Sequence, residues 1–270
     1  MARAKNFMQI TGSIAKISMY TMQGHDEVIV RTKGGPTKRQ IKTKPQFEKV
    51  RRNNSEWAGC TKMGSQIRLA YSLMNRLEDY PANGALNAIC KQIQKMDTES
   101  EHGQRRVLLS QHKDMLGGFS LSRKQVFESV LRVPVIAGID RAAGMATVEI
   151  PAINTDLYLY NFRKLPYYRV VAYFGGVSDM IFKDSSRGEY VPSQERYFDR
   201  NNGSFESDWF PATGIQPGFS FDMNYPLVEN PIPDDVTLIL TLGIEFGQIG
   251  YGNIVEPVKY SGTGKMMKVG

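Results

Sequence analysis

The stretch Val236-Thr237-Leu238-Ile239-Leu240-Thr241-Leu242-Gly243-Ile244-Glu245-Phe246 reads as a β-strand. It is rich in apolar and β-branched residues, which fit a pleated, half-buried surface. Working outward from it, the same pattern recurs from about residue 127. Further strands are expected at 130–139, 145–150, 167–173, 219–223, 257–260 and 265–269. Turn signals separate them: Gly138-Ile139-Asp140, Arg200-Asn201-Asn202-Gly203, Pro217-Gly218 and Pro231-Ile232-Pro233. No amphipathic helix intervenes, so the strands predict an antiparallel β-sandwich. Residues 184–216 form a long, polar, aromatic-dotted insertion, a kind of segment that is functional or an interface.

Upstream the period changes. A helix is expected over 46–77, where Phe47, Val50, Trp57, Met63, Ile67, Ala70, Tyr71 and Met74 recur at helical spacing. Asn53-Asn54-Ser55 is a point where it could break, with Ser55 as the N-cap of a second segment. A further helix is expected over 84–96, with Leu86, Ile89, Cys90 and Ile93 on one face. Residues 97–120 are mixed, and Glu99, Glu101, His102, Arg105 and Arg106 read as solvated. Residues 7–32 read as a β-hairpin with a first strand over 14–22, Ile14, Lys16, Ser18 and Tyr20 sharing a face. Its turn is Gln23-Gly24-His25-Asp26 and its return strand is 27–31. A hairpin alone is marginal in water, so this one needs a surface to lean on. The fold class is therefore α+β. An N-terminal hairpin, basic arm and helices over 1–118 join a sandwich over 119–270, with the boundary near Gly117-Gly118.

Charge singles out one segment. The chain of 270 residues has a net charge of +7, but residues 1–70 hold 14 Lys+Arg against 4 Asp+Glu, or +10. Residues 131–270 hold 12 against 16, or −4. The basic residues concentrate in Arg31, Lys33, Lys38, Arg39, Lys42 and Lys44, followed by Lys49, Arg51 and Arg52. Gly34-Gly35-Pro36 and Pro45 interrupt regular structure here, so the stretch reads as an exposed arm. Such a segment suits a polyanion or an acidic surface on a neighbouring subunit. No helix-turn-helix, zinc-finger or RNA-binding aromatic motif accompanies it. The Tyr-rich run from Leu157 to Arg169 could stack on single-stranded bases, but core or interface packing is the favoured reading.

Catalytic constellations are not legible. The three histidines, His25, His102 and His112, form no metal-binding or triad spacing. Cys60 and Cys90 each fall on an apolar helical face and read as small buried hydrophobes. Gly262-Thr263-Gly264-Lys265 lacks the full phosphate-loop pattern and the helix after it, so it reads as a turn into a last edge strand. Asp199-Arg200-Asn201-Asn202-Gly203 reads as an Asn-Gly turn rather than a calcium loop. No catalytic, metal or cofactor-binding residue is assigned. No run of 18 apolar residues occurs and no signal-peptide core is present, so a cytoplasmic protein with no membrane partner is expected.

Three stretches together resemble a family of uncharacterised proteins from Bacteroidota. They are Val30-Arg31-Thr32-Lys33-Gly34-Gly35-Pro36-Thr37, Phe47 with Arg52-Asn53-Asn54-Ser55-Glu56, and Leu242-Gly243-Ile244-Glu245-Phe246. The resemblance implies a cytoplasmic bacterial protein and carries no activity, cofactor or catalytic residue. The expected function is non-enzymatic: a structural, self-assembling homo-oligomer whose hairpin and basic arm contact neighbouring subunits. The alternative is a sequence-tolerant nucleic-acid-binding protein using the same arm.

Overall fold

The computed structural model describes residues 2–4, 11–22, 27–184, 188–198, 203–226 and 231–270. The chain forms two compact units, Met1–Arg51 and Arg52–Gly270. The expected turn at residues 23–26, which contains His25, and residues 199–202 lie outside the described residues.

In the first unit the strands are β1 (Ala2–Ala4), β2 (Gly12–Ile14), β3 (Ile17–Tyr20) and β4 (Val28–Thr32), in the antiparallel order β1-β4-β3-β2. The expected hairpin is the β3–β4 pair, with Ile17 opposite Thr32 and Tyr20 opposite Ile29. Its first strand is not continuous over 14–22. A tight turn at Ala15-Lys16, with Ala15 at φ +48°, reverses the chain, so Ile14 pairs with Ile17. That turn moves Ile14 to the face opposite Ser18 and Tyr20. After the strands come α1 (Lys38–Thr43) and the start of α2 (Glu48–Leu69).

The second unit is built around two long strands. In chain order its strands are β5 (Ile136–Asp140), β6 (Met145–Ile150), β7 (Ile153–Asn154), β8 (Tyr167–Ser178), β9 (Met180–Lys183), β10 (Glu189–Pro192) and β11 (Gly203–Glu206). Then follow β12 (Phe210–Pro211), β13 (Ile215–Gln216), β14 (Phe219–Asn224), β15 (Val236–Ile249), β16 (Val255–Pro257) and β17 (Thr263–Val269). β8 and β15 run antiparallel from Val236 opposite Ser178 to Gly247 opposite Tyr167. β11 and β12 extend the sheet beside β8, and β16 and β17 beside β15.

Because side chains alternate along a strand, this sheet has two faces, and both are covered. Tyr168, Val170, Ala172 and Phe174 with Leu238, Leu240, Leu242, Ile244 and Phe246 pack against Val148 and Ile150 of β6 and Met223 of β14. The strands β14, β6 and β5 form a three-stranded sheet in that order, so this is the expected antiparallel sandwich. On the other face Val171, Tyr173, Val177 and Ile239 pack against Met63, Ile67, Tyr71, Met74, Leu86 and Ile93. Those come from α2, from the 3-10 segment Ser72–Leu77 with Tyr71 just before it, and from α3 (Ala82–Met96). Three layers result: helices, large sheet, small sheet. Each fully buried side chain of this size contributes about 1.5–3 kcal/mol. Two-sided burial explains why the stretch 236–246 shows almost no polar alternation.

Several boundaries differ from the sequence reading. α2 runs unbroken through Asn53-Asn54-Ser55, so Ser55 is interior and not a cap. Trp57, expected on the buried stripe, is 49% exposed. The stripe continues back from Met63 through Cys60 to Glu56, and Trp57 lies about 100° round the helix from Glu56, at the stripe's margin. The strand expected over 130–139 starts only at Ile136, since 127–130 is a helical turn and Pro134 cannot donate to a ladder. Gly138 and Asp140 lie within β5, and the turn follows at 141–144, where Gly144 adopts φ +61°. The described residues of 184–216 join the sheets of the second unit. β10 pairs with β9, β11 and β12 pair with β8, and β13 pairs with β7, while Tyr190 and Tyr197 are core residues. The expected division at 118 falls inside the second unit, where Gly118 N–H donates to Met266 O.

Candidate functional site

The basic segment is more ordered than an arm. Thr37 caps α1: its Oγ1 accepts from Gln40 N–H at 3.2 Å, and Gln40 Oε1 accepts from Thr37 N–H at 2.7 Å. The sequence Thr37-Lys38-Arg39-Gln40 is a capping-box pattern, a signal that sequence reading missed. At the other end Arg51 reaches back, donating from Nη1 to Ile41 O at 2.8 Å and Lys44 O at 2.9 Å. Arg51 therefore fixes the C-terminal carbonyls of α1 and braces the segment. Arg31 lies 5.3 Å from the Tyr20 ring centroid. Lys33, Lys38, Arg39, Lys42, Lys44, Lys49 and Arg52 are exposed. Lys38 and Lys42 stand one turn apart on one side of α1, which contains no acidic residue.

The sheet beside this segment is amphipathic. Register places Ile14, Ile17, Met19, Val28 and Val30 on one face and Ser13, Ser18, Tyr20, Ile29 and Arg31 on the other. On the apolar face Ile14 is 62% exposed and Ile17 42%. Val28 is the one buried residue among those described in this unit.

In the second unit two clusters of charged residues are occupied with one another. Glu56 of α2 is fully buried. Arg105 grips it with Nε to Oε1 at 2.6 Å and Nη2 to Oε2 at 2.8 Å, Lys91 Nζ donates at 2.6 Å and Gly103 N–H at 2.9 Å. Burial alone would raise this carboxyl. The hydrogen bonds from Arg105, Lys91 and Gly103 outweigh burial and hold it down at about 2. Asp97 likewise accepts from the Arg106 guanidinium and from Arg106 and Ser100 N–H, which outweigh burial and hold its carboxyl far below the usual range. Arg105 and Arg106, expected to be solvated, are thus ion-paired, because α2 and the end of α3 supply carboxylates beneath their loop. A second network alternates charge. Buried Glu245 of β15 takes Arg76, and Arg169 Nε at 2.8 Å, while Glu206 takes Arg76 Nη2 at 3.0 Å and Arg169 Nη1 at 2.6 Å. Arg169 also stacks 4.7 Å from the Trp209 ring.

The remaining expected sites fall in bland places. Cys60 and Cys90 are buried, and burial pushes both thiols up, Cys60 to about 11, so neither is a ready nucleophile at neutral pH. His102 Nε2 lies 2.9 Å from Asn53 Oδ1, and His112 closes a 3-10 turn through its N–H to Leu109 O. Thr263 begins β17 at the sheet edge, and Lys265 pairs with Glu128. In the Tyr-rich run Leu159 and Tyr168 are core, whereas Tyr158 and Tyr160 are exposed. Among the described residues no group of three or more His, Cys, Asp or Glu is placed to hold a metal ion. No described helix is long and apolar enough to cross a membrane. Comparison of the chain with protein-family models, with curated proteins and with solved structures gives no match.

Proposed function

We propose that this protein is a non-enzymatic, cytoplasmic structural subunit that self-assembles through its N-terminal unit. The observation that carries the reading is the open apolar face of the first sheet, where Ile14 and Ile17 stand exposed and Val28 is the one described buried residue. A four-stranded sheet with so little burial gains too little to order its chain, and an apolar face next to water favours a covering partner. A second copy of the chain fits as that partner, since it offers the same apolar face and a C-terminal half of opposite net charge. Glu149 of β6 and Asp222 of β14 lie on the exposed face of the small sheet, suited to the basic segment of a neighbour. Sedimentation velocity of the full chain across a concentration series tests the reading. Assembly that weakens when Ile14 and Ile17 are both replaced by Asp supports it. An unchanged distribution in that variant refutes it.

A second reading has its own support. Lys33, Lys38, Arg39, Lys42 and Lys44 form an exposed cationic strip, which suits phosphate contacts independent of base sequence. Retention of the chain on a nucleic-acid column at low salt, lost in the Lys38→Ala, Arg39→Ala, Lys42→Ala, Lys44→Ala variant, tests it.

A further inference from the structure

The second unit carries a cleft of about 480 Å³ whose lining includes two cations and two aromatic residues. That size lies within the range of small-molecule sites. Its floor is apolar and close-packed at Leu77 and Gly262; a Cβ on Gly262 would stand 2.4 Å from Ile244 O. Two aromatic residues, Phe162 and Tyr260, two cations, Lys124 and Arg163, and the polar Asp79, Ser122 and Gln125 also line it.

Each of these groups is positioned by the fold. Tyr260 adopts φ +57°, a strained backbone for a bulky residue. Its neighbours hold it there: Val258 N–H donates to Phe246 O at 2.9 Å, and buried Ser261 donates from Oγ to Val258 O. The turn leaves Tyr260 68% exposed at the rim of the cleft, its side chain free to close over a ligand. Tyr260 also borders the adjoining cleft of about 410 Å³, so its ring stands between the two. Lys124 is fixed at its backbone, because Asp79 accepts from Lys124 N–H at 2.8 Å, Arg123 N–H at 2.9 Å and Ser122 Oγ at 2.6 Å. Against burial, these bonds and the nearby Lys124 charge keep the Asp79 carboxyl low, and Asp79 too borders the cleft, so the cleft carries one carboxylate beside its two cations. Arg163 donates from Nη1 to Lys259 O at 3.2 Å and leaves Nε and Nη2 for a ligand. Its guanidinium lies 5.6 Å from the Phe162 ring.

Aromatic faces beside two cations suit a planar ring carrying an anionic group. We propose that this cleft binds a small aromatic phosphate ester of nucleoside monophosphate size, with the ring against Phe162 and Tyr260 and the phosphate on Lys124 and Arg163. Every residue involved belongs to the unit Arg52–Gly270, so the site is independent of assembly through the first unit.

Calorimetric titration of the full chain with adenosine 5′-monophosphate, adenosine and inorganic phosphate tests it. The monophosphate is expected to bind with a Kd below about 1 mM, and adenosine and phosphate each at least about tenfold more weakly. Lys124→Ala should weaken the monophosphate about tenfold or more, the scale of one hydrogen bond to a charged group. Lys268→Ala, an exposed charge elsewhere, should leave binding unchanged. Tyr260→Gly relieves the strained φ. It should keep or raise the melting temperature while weakening binding about fivefold or more, the low end of base stacking on an aromatic side chain. Absence of binding at millimolar monophosphate overturns the proposal. So does equal binding of phosphate alone, or wild-type affinity in Lys124→Ala or Tyr260→Gly.

Discussion

Replacing Glu56 by Gln removes one negative charge from the best-enclosed ion cluster in the molecule. The carboxylate is fully buried and accepts from Arg105 twice, from Lys91 and from Gly103 N–H. An amide at that place keeps the shape, but it offers one acceptor in place of two and leaves two cations without their counter-ion. Proton affinity gives a first magnitude. Holding this carboxyl from 4.5 down to about 2 corresponds to about 3 kcal/mol, at about 1.4 kcal/mol for each tenfold change. Breaking a buried ion pair from one side gives a second, about 3–5 kcal/mol. The two agree, and Glu56→Gln is expected to lower stability by about 3 kcal/mol. For a unit of this size that is a fall in melting temperature of roughly 6–12 °C. Urea unfolding followed by circular dichroism measures it. The same carboxylate predicts acid sensitivity. Its folded pKa lies below its unfolded one, so its contribution is fully present above about pH 4.5 and is lost as pH falls toward about 2. A loss under about 1 kcal/mol, or a variant with the wild type's acid profile, would refute the assignment of this cluster as the anchor of α2, α3 and the 99–106 loop.

Three further outcomes follow from the packing. Phe246→Ala should cost about 3–5 kcal/mol, because Phe246 is buried between the two sheets, whereas Trp57→Ala, on an exposed helix face, should cost no more than about 1 kcal/mol by urea melts. His102→Ala and His112→Ala should each change stability by about 0.5 kcal/mol or less in thermal melts; a catalytic role would instead show as a loss of function in a folded variant. If the cationic strip binds duplex DNA, replacing Lys38, Arg39, Lys42 and Lys44 by alanine should reduce the log–log salt slope by up to about 3.6, at about 0.9 for each phosphate no longer neutralised. An unchanged slope removes that reading.

The sandwich was legible because its strands carry strong local signals. The stretches 145–150, 219–223 and 236–246 fall within β6, β14 and β15, and 265–269 within β17. What sequence could not show is which surfaces meet. Nothing local reveals that the odd-numbered residues of β8 and β15 face the helices rather than water, since a strand covered on both faces loses the alternation that assigns them. Glu56 was missed for a related reason. A carboxylate on an apolar stripe reads as solvated until Arg105 and Lys91, 49 and 35 positions away, are brought onto it. The helix α1 was readable from Thr37 and Gln40, yet glycines, prolines and positive charge on either side suggested an arm. The short strands of 184–216 were illegible because they run two to four residues and gain their order from pairing with β7, β8 and β9.

Assembly through the first unit is the central claim, and the mass of the particle in solution addresses it directly. Light scattering on the nuclease-treated full chain, at tens of micromolar (about the affinity scale of a stable complex), separates the readings in one experiment. A mass that is a multiple of 30.4 kDa, retained after nuclease and reduced when Ile14 and Ile17 are replaced by Asp, is the predicted result. A mass of 30.4 kDa for the wild-type chain under those conditions contradicts it.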